Sequence, residues 1–260
     1  SLARRFGVPE IVIGLTIVAC GTSAPEFFVS LMSALNGTPD MAVGNVVGSN
    51  IMNTMLIVGC AAMVAPMVIS PSTVKKDIPF SVGASFLLVL LASFDSAISR
   101  LDGIILLIAF AVFMGYTLYQ AKGNGNDNVN ENSELRTQNS PLTSIIWILL
   151  GLAGLVFGSN LFVDSASSVA AELGVSESVI GLTIVAIGTS LPELASSVVA
   201  ARKGENEIAL GNVIGSNLFN TLLVVGIAGA IAPMTVEPDV LHRDMLLLGV
   251  LTMVLFAFGI

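Results

Sequence analysis

The sequence predicts an all-α membrane protein made of two inverted-topology repeats with helices broken at mid-membrane. Three observations carry this. Hydrophobic residues make up 54% of the 260-residue chain and charged ones only 11%, where a typical soluble domain has about 25% charged. The apolar residues fall into eight stretches, most of them near the roughly 20 residues that cross a bilayer. One block of sequence also occurs twice at a fixed offset. With a net charge of −8, nothing suggests a nucleic-acid partner.

The candidate spans lie at 11–35, 41–65, 78–94, 101–120, 144–163, 178–201, 208–232 and 245–260. Charge and proline punctuate them, as in PSTVKKD (71–77) and VEPD (236–239). The interval 121–140 is polar and Asn-rich, the composition of a loop. Counted over alternate intervals, one side holds Arg4, Arg5, Lys75, Lys76, Lys122, Arg136, Arg202 and Lys203, and the other only Arg100 and Arg243. Basic residues stay inside, so the 121–140 loop is expected in the cytoplasm. Cys20 and Cys60 sit in apolar runs and are expected to be buried free thiols.

A shift of 167 residues aligns VIGLTIVACGTSAPE (12–26) with VIGLTIVAIGTSLPE (179–193), 13 of 15 positions being identical. The same shift aligns GNVVGSNIMNTMLIVG (44–59) with GNVIGSNLFNTLLVVG (211–226), with 11 of 16 identical. The chain therefore divides into a first repeat (1–120), the loop 121–140 and a second repeat (141–260). From the first candidate span to the sixth there are five crossings, and an odd number inverts the second copy. Inverted repeats with broken helices are the architecture of secondary transporters. Subtracting the offset from 144–163 leads upstream of Ser1, and adding it to 101–120 leads beyond Ile260. Ten helices, five per repeat, are thus expected in the intact unit and about eight here.

Glu26 and Glu193 are the only acids deep in the apolar runs, at equivalent repeat positions. A carboxylate at mid-membrane costs about 3 kcal/mol or more on insertion scales and marks an ion or proton path. Pro25 and Pro192 each remove a helix hydrogen bond, freeing backbone oxygens around Ala19–Thr22 and Ala186–Thr189 that need a partner in hydrocarbon. Ser49 and Asn53 are one helical turn apart, as are Ser216 and Asn220. Two carboxylates with carbonyl, hydroxyl and amide oxygens match the 6–8 oxygen ligands that calcium takes. A set without soft donors argues against copper or zinc. Gly44 and Gly48, four apart, suit close helix packing.

The paired GTSxPE and GNVxGSNxxN blocks resemble the two α-repeats of the calcium/cation antiporter superfamily, nearest to prokaryotic sodium/calcium exchangers. The resemblance implies ten helices and a four-site ion cluster at mid-membrane. It assigns calcium to Glu26, Glu193 and the carbonyls of Thr22 and Thr189. Sodium would use Ala19, Ser23, Ser49, Ala186, Ser190 and Ser216, with the glutamates shared and Asn53 and Asn220 flanking. Some relatives carry Asp at one of these last two positions; here both are Asn, which bears on sodium stoichiometry and potassium dependence. It further implies that the first and sixth helices of the intact protein slide across the core. The function expected is exchange of Ca2+ for Na+ by alternating access, in a multi-pass protein of a prokaryotic inner membrane. Its partners are the two ions and the bilayer, with no cofactor and no obligate protein partner.

Calcium/proton antiport on the same fold, potassium-dependent exchange and a passive cation channel remain alternatives. An enzyme is not expected: HExxH and GxSxG patterns do not occur, and the single histidine, His242, reads as a solvated loop residue beside Arg243.

Overall fold

A computed structural model describes residues 9–67, 69–123 and 141–259. Two broken helices, α1 (Glu10–Thr22) with α2 (Ala24–Leu35) and α7 (Gly181–Thr189) with α8 (Leu191–Arg202), each bend by 47°. A helical turn over Glu177–Ile180 leads into α7. Between and after them run α3 (Pro39–Val64), α4 (Thr73–Ser93), α5 (Arg100–Gly123), α6 (Pro141–Glu172), α9 (Asn206–Ile231) and α10 (Val240–Ala257). Counting each bent pair as one span gives eight among the described residues. Both bends fall just before the Ala24-Pro25 and Leu191-Pro192 pairs, because a proline cannot donate to the preceding turn and its ring clashes with the carbonyl four residues back.

The two repeats interlock. α3 of the first packs on α7 of the second, and α9 of the second packs on α1 of the first. Glycine makes these crossings possible. A Cβ on Gly215 would lie 2.7 Å from both the Leu15 carbonyl oxygen and Ala19 Cβ, and one on Gly48 would run into the Leu182 carbonyl. The centre of the bundle is α9, with 78% of its most apolar window buried, while α6 on the outside has 6%. The enclosed helices α3 and α9 carry the buried residues Asn45, Ser49, Asn50, Asn53, Asn212, Ser216, Asn217 and Asn220, polar groups that a lipid solvent could not satisfy.

Two short strands, β1 (Ala97–Ile98) and β2 (Met234–Thr235), pair antiparallel with Ala97 opposite Thr235. They join the loop after α4 to the loop after α9. Asn206 Nδ2 likewise donates to the Pro66 carbonyl oxygen at 3.0 Å, joining the loop after α8 to the loop after α3. Each tie connects loops that span counting puts on one side, as the inverted topology requires.

Several expectations are corrected. α4 and α10 begin at 73 and 240 rather than 78 and 245, so Lys75, Lys76, His242 and Arg243 lie on helical first turns, not in loops. A charged first turn is tolerated where a helix leaves the interface, since its side chains reach the headgroups. α6 runs on to Glu172, nine residues past the expected end. Cys20 is exposed and Cys60 half-buried, both free; their apolar surroundings are the outside of the bundle rather than its core. The 121–140 loop lies outside the described residues, save the end of α5.

A further duplication accompanies the helix starts. Ala65, Pro66, Met67, Pro71 and Asp77 recur 167 residues later as Ala232, Pro233, Met234, Pro238 and Asp244. Wide π-helical turns also recur in pairs, at Gly14–Val18 and Gly181–Val185, Asn53–Ile57 and Phe219–Val224, and Thr73–Asp77 and Val240–Asp244. Such turns often accompany functional sites, and the first two pairs adjoin the one described next.

Candidate functional site

Glu26 and Glu193 occupy the first turns of α2 and α8, immediately past the two bends, and both are fully buried. Each carboxylate is held by a hydroxyl of the opposite repeat. Ser190 Oγ donates to Glu26 Oε1 at 3.2 Å, and Ser23 Oγ donates to Glu193 Oε1 at 3.0 Å. Ser216 Oγ adds a second bond to Glu193 Oε1 at 3.2 Å, within its own repeat. Ser49 departs from this symmetry: its hydroxyl lies 3.2 Å from Thr189 Oγ1 and donates to the Ala186 carbonyl at 3.5 Å.

The bends themselves are pinned by asparagines. Thr22 Oγ1 donates to Asn212 Oδ1 and Thr189 Oγ1 to Asn45 Oδ1, each at 3.1 Å. Asn45 Nδ2 then bonds Ser30 Oγ at 2.9 Å and the Glu26 carbonyl at 3.4 Å. Asn212 Nδ2 repeats this with Ser196 Oγ and Ser197 Oγ, both at 2.9 Å, and the Glu193 carbonyl at 3.3 Å. Each break is thereby held from both halves of the molecule: the threonine before it by the opposite repeat's asparagine, and the glutamate carbonyl after it by the asparagine of its own repeat. Ala19 and Ala186 are fully buried on the turns before the bends, and their carbonyls accept from Ser23 N at 2.9 Å and Ser190 N at 3.1 Å.

All twelve residues expected at the site, Ala19, Thr22, Ser23, Glu26, Ser49, Asn53 and their repeat partners Ala186, Thr189, Ser190, Glu193, Ser216 and Asn220, are buried at the junction of α1/α2, α3, α7/α8 and α9. Four buried side-chain oxygens there have no hydrogen-bond partner: Glu26 Oε2, Glu193 Oε2, Asn53 Oδ1 and Asn220 Oδ1. They form two repeat-related pairs. Leaving such an atom unsatisfied costs about 1–3 kcal/mol, more when charged, so four in one region call for a partner there. Among the described residues no group of three or more His, Cys, Asp or Glu could hold a metal. The charge of the site therefore comes from two glutamates and its remaining oxygens are neutral, a hard donor set.

Sequence reasoning marked the recurring Asn45, Asn50, Asn212 and Asn217 only as residues that in hydrocarbon must be hydrogen-bonded or liganding, and it named no partner for them. Two clefts also lie along helices that carry the site. One of about 260 Å³ runs along α7 past Leu182 to Asp244, with Gly48 and Met52 on its wall. Its repeat-related counterpart along α1, past Leu15 to Asp77, is only about 40 Å³. In the larger, Arg243 Nε and Nη2 donate to Asp244 at 2.8 and 3.0 Å, so the carboxylate at the rim is paired.

Comparison with known proteins places this geometry. The model of the sodium/calcium exchanger protein family matches residues 1–119 and 143–260. The putative antiporter CaxA of Alkalimonas amylolytica is 40% identical over 247 residues, covering 94% of this chain and 77% of that protein. The inner membrane protein YrbG of Escherichia coli is 38% identical over 252 residues, with 94% and 76% covered. A solved structure of the sodium-calcium exchanger NCX_Mj, soaked with Na+ and Ca2+, superposes with a TM-score of 0.80 at 31% identity, covering 99% of this chain and 81% of that one. A duplicated, inverted helical core matched across nearly its whole length by that family makes this multi-pass membrane chain a member of the sodium/calcium exchanger family.

Proposed function

We propose that the protein exchanges Ca2+ for Na+ across a membrane by alternating access, with the cations held between Glu26 and Glu193. The observation that carries this is the set of four partnerless buried oxygens, two carboxylate and two amide, at repeat-equivalent positions. Two carboxylates in a dry site repel each other unless cations lie between them. A site charge of −2 is neutralised by one Ca2+ or two Na+, so the ions compete for the same oxygens. The carbonyls of Thr22 and Thr189 complete the calcium shell in this reading. Ala19, Ser23, Ser49, Ala186, Ser190 and Ser216 serve sodium, with Asn53 and Asn220 at the edge.

With basic residues inside, the loop 121–140 faces the cytoplasm. A prokaryotic inner membrane is the proposed location, as for the relative named an inner membrane protein. The transported ions are the only ligands assigned.

The test is radiolabelled calcium uptake by proteoliposomes of the intact protein, driven by a sodium gradient. Glu26→Gln and Glu193→Gln should each abolish it while the protein remains monodisperse, because one carboxylate provides too little charge for a divalent ion. Near-normal sodium-driven uptake in either variant defeats the reading, and uptake that follows a proton gradient but not a sodium gradient replaces sodium by protons.

A further inference from the structure

Beyond the ligands themselves, a second set of buried side chains joins α3 to α9. Asn50 Nδ2 donates to Thr221 Oγ1 at 2.8 Å, and Asn217 Nδ2 donates to Thr54 Oγ1 at 2.9 Å. Asn220 Nδ2 donates to Asn50 Oδ1 at 3.1 Å, and Asn53 Nδ2 to Asn217 Oδ1 at 3.0 Å. The four bonds form a clasp obeying the 167-residue repeat, every one of them crossing from one half of the molecule to the other.

The direction of each amide in this clasp follows from atoms that can act in one sense only. Thr54 Oγ1 gives its proton to the Asn50 carbonyl at 2.8 Å, so toward Asn217 it can only accept. Asn217 must then turn Nδ2 to Thr54 and Oδ1 to Asn53. Asn53 in turn must offer Nδ2 to that oxygen, which sends its own Oδ1 the opposite way. In the other half, Asn50 Nδ2 also faces the Asn217 backbone carbonyl at 3.4 Å, an obligate acceptor. Asn50 Oδ1 is thereby turned to Asn220, whose Nδ2 it receives, and Asn220 Oδ1 is sent away from the clasp. The two oxygens so directed are the two partnerless amide oxygens of the cation site.

We propose that Asn50 and Asn217 are positioning residues that aim the side-chain carbonyls of Asn220 and Asn53 at the transported cations. The inference rests on the reading given under Proposed function. The need for aiming comes from the amide itself. An amide turned by half a circle presents N–H groups, the positive end of its dipole, where a cation must sit. A carboxylate presents oxygen either way. A protein with Asn at both positions therefore requires a device that one with Asp does not, and the clasp is that device.

This yields a cycle of variants in the intact, reconstituted protein, read as the calcium concentration giving half-maximal sodium-driven exchange. Asn50→Ala should raise it by about tenfold or more, as expected for misdirecting one ligand to a charged species. In the Asn220→Asp background the same Asn50→Ala change should cost less than about twofold, because a carboxylate at position 220 needs no aiming; the two effects are thus non-additive. A purely structural clasp costs the same factor in both backgrounds, and that result overturns the proposal, as does a wild-type value in Asn50→Ala alone. Should Asn50→Ala fail to fold, Asn217→Ala with and without Asn53→Asp makes the same comparison in the other half. Calcium exchange that is indifferent to Glu193→Gln defeats the site and this proposal together. Additive costs in a protein that Glu193→Gln silences defeat the aiming role alone.

Discussion

Adding a single methyl group at Gly215 tests the coupling between helix packing and the site. The new Cβ would lie 2.7 Å from the Leu15 carbonyl oxygen and from Ala19 Cβ, and 2.8 Å from Leu15 Cα. Ordinary contacts between such atoms begin near 3.5 Å, and two of these neighbours are backbone atoms that cannot rotate away. The α1–α9 crossing must therefore open by roughly 0.8 Å. Overpacking of this kind costs about 1–3 kcal/mol. Its functional effect should be larger than its structural one. Ser216, the next residue, bonds Glu193, and Ala19 carries a carbonyl proposed as a ligand, whereas metal shells tolerate only about 0.2 Å. Gly215→Ala is expected to lower thermal stability and to weaken calcium half-saturation by about tenfold or more. Gly48→Ala should do the same from the other repeat. Gly115→Ala, whose Cβ would meet nothing within 4 Å, is the control and should be neutral. Stability and calcium dependence of Gly215→Ala equal to those of Gly115→Ala would refute the argument.

Three other expectations follow. Ser23→Ala and Ser190→Ala each remove a hydroxyl from the opposite repeat's carboxylate, and each should weaken calcium half-saturation by about tenfold; no change in either, measured by exchange assays, would separate the hydroxyls from ion binding. Arg243→Gln frees the Asp244 carboxylate at the rim of the larger cleft, so calcium association at low ionic strength should accelerate and the gain should vanish at high salt. Stopped-flow rates identical at every salt concentration would mean that ions do not pass this rim. Asn128→Cys should be labelled by an impermeant thiol reagent only from the cytoplasmic side, and labelling of intact cells would reverse the proposed orientation.

The glutamates were readable in the sequence because a charge in a long apolar run is conspicuous, and the equal offset of two such charges is more so. Inversion followed from counting spans. Helix starts were misplaced at Lys75-Lys76-Asp77 and His242-Arg243-Asp244 because charge there reads as loop, although a helix can begin within the headgroup region. The exposure of Cys20 could not be read, since a residue facing lipid and one facing the core have the same apolar neighbours along the chain. Recurrence of Asn50 and Asn217 was visible, but their partners lie more than 160 positions away along the chain, and only the folded crossing of α3 and α9 brings them together. The π-helical turns left no trace in composition.

The distribution of contacts restricts where an exchange cycle can move. Glu26 relies on Ser190 and Glu193 on Ser23, while the clasp ties α3 to α9, so neither repeat owns a complete site. Shearing α1/α2 against α7/α8, or α3 against α9, breaks the bonds that shape the cation shell. Movement that preserves the shell must fall on helices that lend it no oxygen. Among these, α6 is the least enclosed of the apolar spans, and an apolar groove of about 720 Å³, with Phe162 and Ile184 on its walls, separates part of it from α7. It touches the core through side chains rather than backbone: a Cβ on Gly188, the residue before Thr189, would meet Val163 Cγ2 at 2.5 Å and Phe162 Cδ1 at 2.8 Å. Apolar contacts of this kind carry no directional bonds and can be exchanged for similar ones along the helix. Under the proposed exchange, sliding of α6 past Gly188 is the movement expected to alter the wall beside the site while the crossed hydroxyls and the asparagine clasp hold the oxygens in place.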